Sequence, residues 1–428
     1  MGNIKAAKHI SLLWLGSLAG AGCAFLTQVM IARTLGPQDF GIFASVLSLM
    51  GLLVPVVGFG IAQYWLKEFG KEGWKAVRFV TPSLKFISFS MALVMSLVVL
   101  WGVWGPHDQK MQAVLIIMSL FILGQVSAEL ISGRLQLEEK YECLAVWQLM
   151  PHLARLLLLV VVSGLLGSRF DIESVAYSFA LVSLLVFATG FKPMMNMAKG
   201  KILLKGHRSQ QVREKNLAHP NIIDILRNSW PFGLAGVFHL IYFQSDIILV
   251  KYISGNEAAG YYNVAFTVMT AVLLFPGMIY QKFLLPKIHR WANHDRILFY
   301  KIYRKGNIIM LLLGLLAMLV VWLLSPLAIP YLFGRDYTNS VELLVVLAIS
   351  APILFVASSV GATLVTQEHM RLKVKLMGGV AILNVALNLI LIPSYGAKGA
   401  AVATVISNGV LLFLYYYSAS KFVFKADR

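Results

Sequence analysis

Long uncharged runs, separated by short polar breaks, dominate the chain. Between Lys8 and Arg33 lie 24 residues without a formal charge, and between Asp39 and Lys67 another 27. The apolar positions are continuous rather than alternating, and crossing the hydrocarbon core takes about 20 of them per helix. In lipid the backbone must satisfy its own hydrogen bonds, so continuous runs predict spanning helices rather than barrel strands. Twelve spans are predicted, over 9–33, 38–66, 83–105, 111–133, 143–167, 173–191, 228–252, 258–284, 306–329, 339–366, 376–394 and 399–418.

Composition sharpens that pattern into a class. Hydrophobic residues make up 58% and charged residues 13%, with a mean hydropathy of +0.75, which excludes an ordinary soluble domain. The chain reads as an all-α integral membrane protein. Its two cysteines, Cys23 and Cys143, fall in or at apolar runs and suggest neither disulfide nor metal site. The first apolar run is too long for a signal h-region and lacks a clear small-residue cleavage site, so it reads as a retained span.

The net charge of +18 does not point to nucleic acid, because the basic residues cluster between apolar runs. With both termini in the cytoplasm, the inner segments hold 30 of the 37 Lys and Arg. The outer loops hold six, namely Arg33, Lys110, Arg169, Lys251, Arg335 and Lys398, and Arg155 falls inside span five. This bias supports twelve spans with cytoplasmic termini. The substantial soluble segment is a basic linker, 192–227, which is expected to lie on anionic lipid headgroups at about 1 kcal/mol per basic residue, or else to dock a partner. It divides the chain into an N-terminal lobe, 1–191, and a C-terminal lobe, 228–428.

The two halves carry related openings. ARTLGPQDFGIF (32–43) has a counterpart in VKYISGNEAAGYYN (250–263): a basic residue (Arg33 or Lys251), a glycine-containing turn, an acid (Asp39 or Glu257), then glycine and aromatics. In the first copy, Gly36-Pro37 is expected to turn the chain and Asp39 to cap span two. At the same offset Gln63 aligns with Gln281 and Gly58 with Gly277. Six spans per half give both halves the same orientation, a parallel repeat of the kind found in two-lobed transporters.

A first helix leading into ARTLGPQDFGIFASVLSL resembles the opening of bacterial polysaccharide transporters. These are the O-antigen and exopolysaccharide repeat-unit flippases of the multidrug/oligosaccharidyl-lipid/polysaccharide (MOP) superfamily. SWPFGLAGVFHLIYFQSDIILVKYISGNEAAGYYNVA resembles the family's second-half opening, and YLFGRDYTNSVELLVVLA (331–348) and SYGAKGAAVAT (394–404) resemble its outer loops. The resemblance implies twelve transmembrane helices in two six-helix lobes around a central cavity. It further implies alternating access, moving an undecaprenyl-pyrophosphate-linked oligosaccharide from the inner to the outer leaflet of the bacterial cytoplasmic membrane. A polysaccharide polymerase and other assembly proteins would be its partners. Lipid II flippases usually carry fourteen spans, and multidrug extrusion proteins lack the ARTLGPxxFG opening.

A charge near mid-membrane costs roughly 3 kcal/mol or more, so each is a candidate for function. Arg155 can grip a pyrophosphate or acidic sugar, or form a structural pair with Glu129 on span four. Asp246 and His239 are seven residues apart on span seven, about two turns, so they share a face. That face can carry a proton or sodium ion coupled to transport, or only interhelical hydrogen bonds. Glu129 reads as a structural or gating group. Lys85, with Lys67, Lys71, Lys75 and Arg78, forms an inner basic rim that either steers an anionic headgroup or reflects ordinary charge bias. Asn384 and Asn388 make a polar stripe, either cavity-lining or interhelical, and Gln63, Gln281 and Arg33 complete the candidate cavity set. For Arg33 the competing role is ending a helix. Gly16 and Gly20 have the spacing of a close helix contact, and Pro55 and Pro276 can kink spans two and eight.

Signals for enzymes are missing. The sequence has no phosphate-binding GxxxxGK[ST] loop, no GxSxG and no Cys/His metal spacing, so a transporter without a cofactor, driven by a proton or sodium gradient, is expected. Two alternatives compete with the flippase. A cation-coupled drug exporter of the same superfamily calls for an acidic, aromatic-lined cavity. A membrane-embedded polysaccharide polymerase calls for a large outer catalytic loop, which is missing.

Overall fold

The computed structural model describes residues 2–205, 220–277, 279–280, 284, 288, 296–364 and 370–424, with residues 2–12 and 370 described by backbone alone. Every regular element among them is helical. The order is α1 (Gly2–Gly58), α2 (Ile61–Glu72), α3 (Val80–Trp104), α4 (Gln109–Met118), α5 (Leu120–Leu137), α6 (Tyr141–Leu166) and α7 (Ile172–Ala198). Then follow α8 (Ile222–Ser254), α9 (Asn256–Gly277), α10 (Arg296–Leu332), α11 (Asn339–Ala348), α12 (Ser350–Thr363) and α13 (Met370–Ser418). Nine helical stretches among the described residues are long and apolar enough to cross a membrane. The protein is a multi-pass membrane protein.

Predicted and observed helices differ where glycine intervenes. The predicted spans 9–33 and 38–66 meet within the stretch α1, where two helices are joined at Gly36, whose backbone is not helical (φ 72°, ψ 173°). Asp39 lies within the continuing helix. The stretch 38–66 is not one continuous span. It breaks at Phe59 and Gly60, both at positive φ, before α2 begins. Any Cβ at Gly60 would stand 2.4 Å from that of Phe232, so this turn requires glycine. The predicted spans 376–394 and 399–418 both lie in the stretch α13, as two helices joined at the non-helical Gly396 (φ 58°, ψ −143°). Helix α7 runs to Ala198, six residues past the predicted linker start at 192, and linker residues 206–219 lie outside the described residues.

The helices pack as two units. Met1–Gln28 and Val46–Val237 form the first, and Val29–Ser45 and Phe238–Arg428 the second. In the first unit, Gly16 brings α1 against α6, where an added Cβ would lie 3.2 Å from that of Ala145. At the C-terminal end of α5, Glu138 is 1% exposed. Its carboxylate meets Lys140 Nζ at 2.6 Å and Arg134 at 3.0 Å. Arg134 also donates to the Pro193 carbonyl, tying the α5–α6 turn to α7. Burial by itself would raise the Glu138 pKa, but the hydrogen bonds and charges of Lys140 and Arg134 outweigh it and hold the group below the usual carboxylate range.

In the second unit the two repeat motifs meet. A Cβ at Gly41 would lie 1.7 Å from the Asn256 carbonyl oxygen, and one at Gly260 would lie 2.1 Å from that of Pro37. Only paired glycines allow this backbone approach, and Tyr337 seals it by donating to the Ala32 carbonyl at 2.9 Å and meeting the Phe40 ring edge-on. The helices that follow the motifs, α1 and α9, end at the two aligned glycines, Gly58 and Gly277, shortly after Pro55 and Pro276.

Candidate functional site

Helix α8 carries Asp246 into the second unit, where it is 1% exposed. An ionised or polar group so placed needs partners, and several helices supply them. Asn388 Nδ2 of α13 donates to Oδ1 at 2.6 Å. Tyr262 of α9 donates its hydroxyl to Oδ2 at 2.8 Å, and the Thr404 hydroxyl donates to the same oxygen. Asn388 Nδ2 also reaches the Asn384 carbonyl at 2.9 Å, and Ser245 joins Asn384 Oδ1 at 3.4 Å. Asn388 Oδ1 makes no hydrogen bond among the described residues. The arrangement is one carboxylate held among hydroxyl and carboxamide groups, a donor set suited to a proton or a hard cation.

The first unit holds a cavity of about 630 Å³. Gln125, Glu129, Ser132 and Gln136 line it at spacings of four, three and four, one face of α5. Helix α6 adds Trp147, Gln148, Pro151 and His152, and α2 adds Gln63. Trp147 is fixed by donating to the Ala128 carbonyl at 3.2 Å. Neither Lys nor Arg lines it among the described residues. A second cavity, of about 490 Å³, lies within the second unit and is lined by His239, Tyr242, Tyr280, Tyr415 and Lys373.

Arg155 is 5% exposed. Its guanidinium lies 4.9 Å from the Phe121 ring centroid and 5.1 Å from that of Phe179, a cation–π seat between α5 and α7. No ion pair joins it to Glu129 among the described residues, and it is not among the residues lining either cavity. Arg33 and Lys85 are exposed on α1 and α3. Gln63 and Glu129 share the first cavity, whereas His239 lines the second. Asn384 and Asn388 belong to the Asp246 network, and Gln281 lies outside the described residues. The shared face of α8 thus carries His239 and Asp246 to different surroundings.

A search guided by charge passed over Gln125, Gln136, Gln148, Trp147 and His152 in the first unit, and Tyr262, Thr404 and Lys373 in the second. The i, i+4, i+7, i+11 spacing of Gln125, Glu129, Ser132 and Gln136 was a legible signal of a polar face in an apolar helix. Nothing local linked Tyr262 or Thr404 to Asp246.

Known proteins match this architecture along nearly its whole length. The chain is 24% identical over 423 residues to the "Probable low-salt glycan biosynthesis flippase Agl15" of Haloferax volcanii, covering 96% of this chain and 83% of the relative. It is 21% identical to the "Capsular polysaccharide biosynthesis protein CapF" of Staphylococcus aureus, covering 96% and 98%. Among solved structures, the lipid II flippase MurJ in an inward closed conformation superposes with a TM-score of 0.74 at 14% identity, covering 96% of this chain and 87% of that one. An inward-facing multidrug resistance MATE family transporter of the MOP superfamily gives 0.67 at 14% identity, covering 95% and 94%. At such identities these structures speak to the fold alone. The family described as "Polysaccharide biosynthesis protein" matches residues 6–291, more than half of the chain, and it is to this family that the chain belongs.

Proposed function

We propose that the protein is a flippase that carries an undecaprenyl-pyrophosphate-linked oligosaccharide repeat unit from the inner to the outer leaflet of the cytoplasmic membrane. The observation that carries this reading is the cavity of the first unit. Gln63, Gln125, Gln136 and Gln148 line it, and none of their side chains makes a hydrogen bond to protein among the described residues. Carboxamides both donate and accept, which matches sugar hydroxyls, and the Trp147 side chain offers a surface for a sugar ring. A site without Lys or Arg in its lining suits the uncharged part of such a substrate. The relatives named as a glycan biosynthesis flippase and a capsular polysaccharide biosynthesis protein support the same substrate class.

Twelve spans in two six-helix lobes follow if the 92-residue stretch Leu13–Trp104 counts as three and Arg371–Val423, bent at Gly396, as two. The basic bias then puts both termini in the cytoplasm, lets the linker lie on anionic lipids, and delivers the glycan outside to a polymerising partner. The Asp246 network is the coupling site: a proton or sodium ion taken by the carboxylate favours one of two states of the transporter, each exposed to one side of the membrane.

The test is a proteoliposome assay in which labelled lipid-linked oligosaccharide becomes accessible from the opposite leaflet. Protein-dependent transfer, driven by an imposed proton or sodium gradient and made gradient-independent by Asp246→Asn, is the expected result. Export of an organic cation without movement of the glycan would replace this reading with the drug exporter.

A further inference from the structure

The second cavity has a charge that no counter-charge balances among the described residues. Three basic residues follow one another at every second position at the start of α13. Arg371 and Lys375 are exposed, while Lys373 is half-buried and lines the cavity. Its Nζ donates to the Gly361 carbonyl at 3.2 Å and lies 5.8 Å from the Tyr415 ring centroid. Gly361 keeps this corner open, since a Cβ there would stand 2.9 Å from the Tyr415 ring. Lys373 pairs with no carboxylate among the described residues, and neither Asp nor Glu lines the cavity.

An ammonium group has three donors, and one is used here. Holding such a cation in an apolar helix is costly without a counter-charge. His239 lines the same cavity, and neither its ring nitrogens nor the Tyr415 hydroxyl makes a hydrogen bond to protein among the described residues. Around these groups the walls are apolar: Phe243, Leu354, Met377, Val380 and Leu411. A cation with further donors set in an apolar wall fits an oxyanion attached to a hydrocarbon chain. The carboxylate of Asp246 does not neutralise the cavity, because its oxygens accept from Asn388, Tyr262 and Thr404.

We propose that this cavity is a phosphate subsite, in which Lys373, with His239 and the Tyr415 hydroxyl, holds the phosphate of an amphiphile. The flippase reading makes that phosphate the pyrophosphate link of the carried lipid, and the inference rests on that reading for its choice of source. A phospholipid headgroup has the same chemistry, so the experiment must separate the two.

The test uses the full chain in phosphatidylcholine nanodiscs, with farnesyl pyrophosphate as probe and farnesol as the uncharged control. Wild type is expected to bind the pyrophosphate. Lys373→Met should lose about tenfold or more in affinity, the scale of a charge-assisted contact, while Lys373→Arg keeps most of it. Farnesol binding should be the same in all three. Thermal unfolding of each variant separates lost binding from lost fold, and Lys373→Arg carries the test if the methionine variant is unstable, by retaining binding that His239→Ala and Tyr415→Phe weaken. Equal binding by stable wild type and Lys373→Met would overturn the subsite. Phosphatidylglycerol co-purifying with wild type but not with Lys373→Met, and not displaced by the probe, would keep the phosphate site and overturn the pyrophosphate as its occupant. Lys373-dependent binding without any glycan transport would sink the flippase reading alone.

Discussion

The Asp246 network and the Glu129 cavity are built from the same kinds of residue and treat them in opposite ways. In the second unit, a carboxylate, two asparagines and a tyrosine, all buried, close on one another with a half-buried threonine. In the first, a carboxylate, four glutamines, two serines and a histidine face open space, and the side chains of the glutamate and glutamines find no partner among the described residues. Polar groups in membrane helices are costly to bury, so each must be paired or be wetted by water or ligand. Pairing makes the first arrangement part of the fold, where a small bound cation can enter only by rearranging it. Openness makes the second arrangement a place for something larger.

The largest test of that contrast is Asp246→Ala. It removes an acceptor shared by Asn388, Tyr262 and Thr404, and thermal or denaturant unfolding should show a loss of about 2–3 kcal/mol. Unchanged stability would mean the network is not structural. Arg155→Met should change stability by only about 1 kcal/mol, because the flexible apolar chain can occupy the space between Phe121 and Phe179. Its transport should persist; transport lost from a stable Arg155→Met protein would restore the arginine to the substrate path.

Glu138 offers a third solution, an ion pair outside the spanning helices. Its pKa in the folded protein is depressed, so the stability it contributes is present above its unfolded pKa and is lost as pH falls through the folded value. Unfolding followed from neutral to acid pH should therefore show an acid loss of about 1 kcal/mol in wild type that is absent in Glu138→Gln. The same pH slope in both proteins would remove the group from the account. Smallest in stability is Glu129→Gln combined with Gln63→Ala, within about 0.5 kcal/mol because neither side chain has a partner among the described residues. Glycan transport by that variant should nonetheless fall well below wild type, which sharpens the division between a structural and a ligand-facing polar cluster.

Much of this was legible in the chain, and for local reasons. Hydropathy is a property of consecutive residues, so the apolar runs announced spanning helices without any partner being known. The paired motifs announced themselves through spacing, and the meeting of Gly41 and Gly260 explains why both copies keep a glycine there. The same local reading overran the break at Phe59–Gly60, because what makes that turn necessary is Phe232, far along the chain.

The sequence by itself determined a helical membrane protein with basic residues clustered between its apolar runs, a repeated opening and a short set of costly polar groups. Only the tertiary structure decided what those groups do. Asp246 meets Asn388 across 142 positions and Thr404 across 158, Arg155 finds aromatic rings instead of a carboxylate, and Lys373 alone of its basic neighbours turns into a cavity. The reason is physical: burial in lipid is dictated residue by residue, whereas the partner that makes a buried polar group tolerable comes from whichever helix the packing brings beside it.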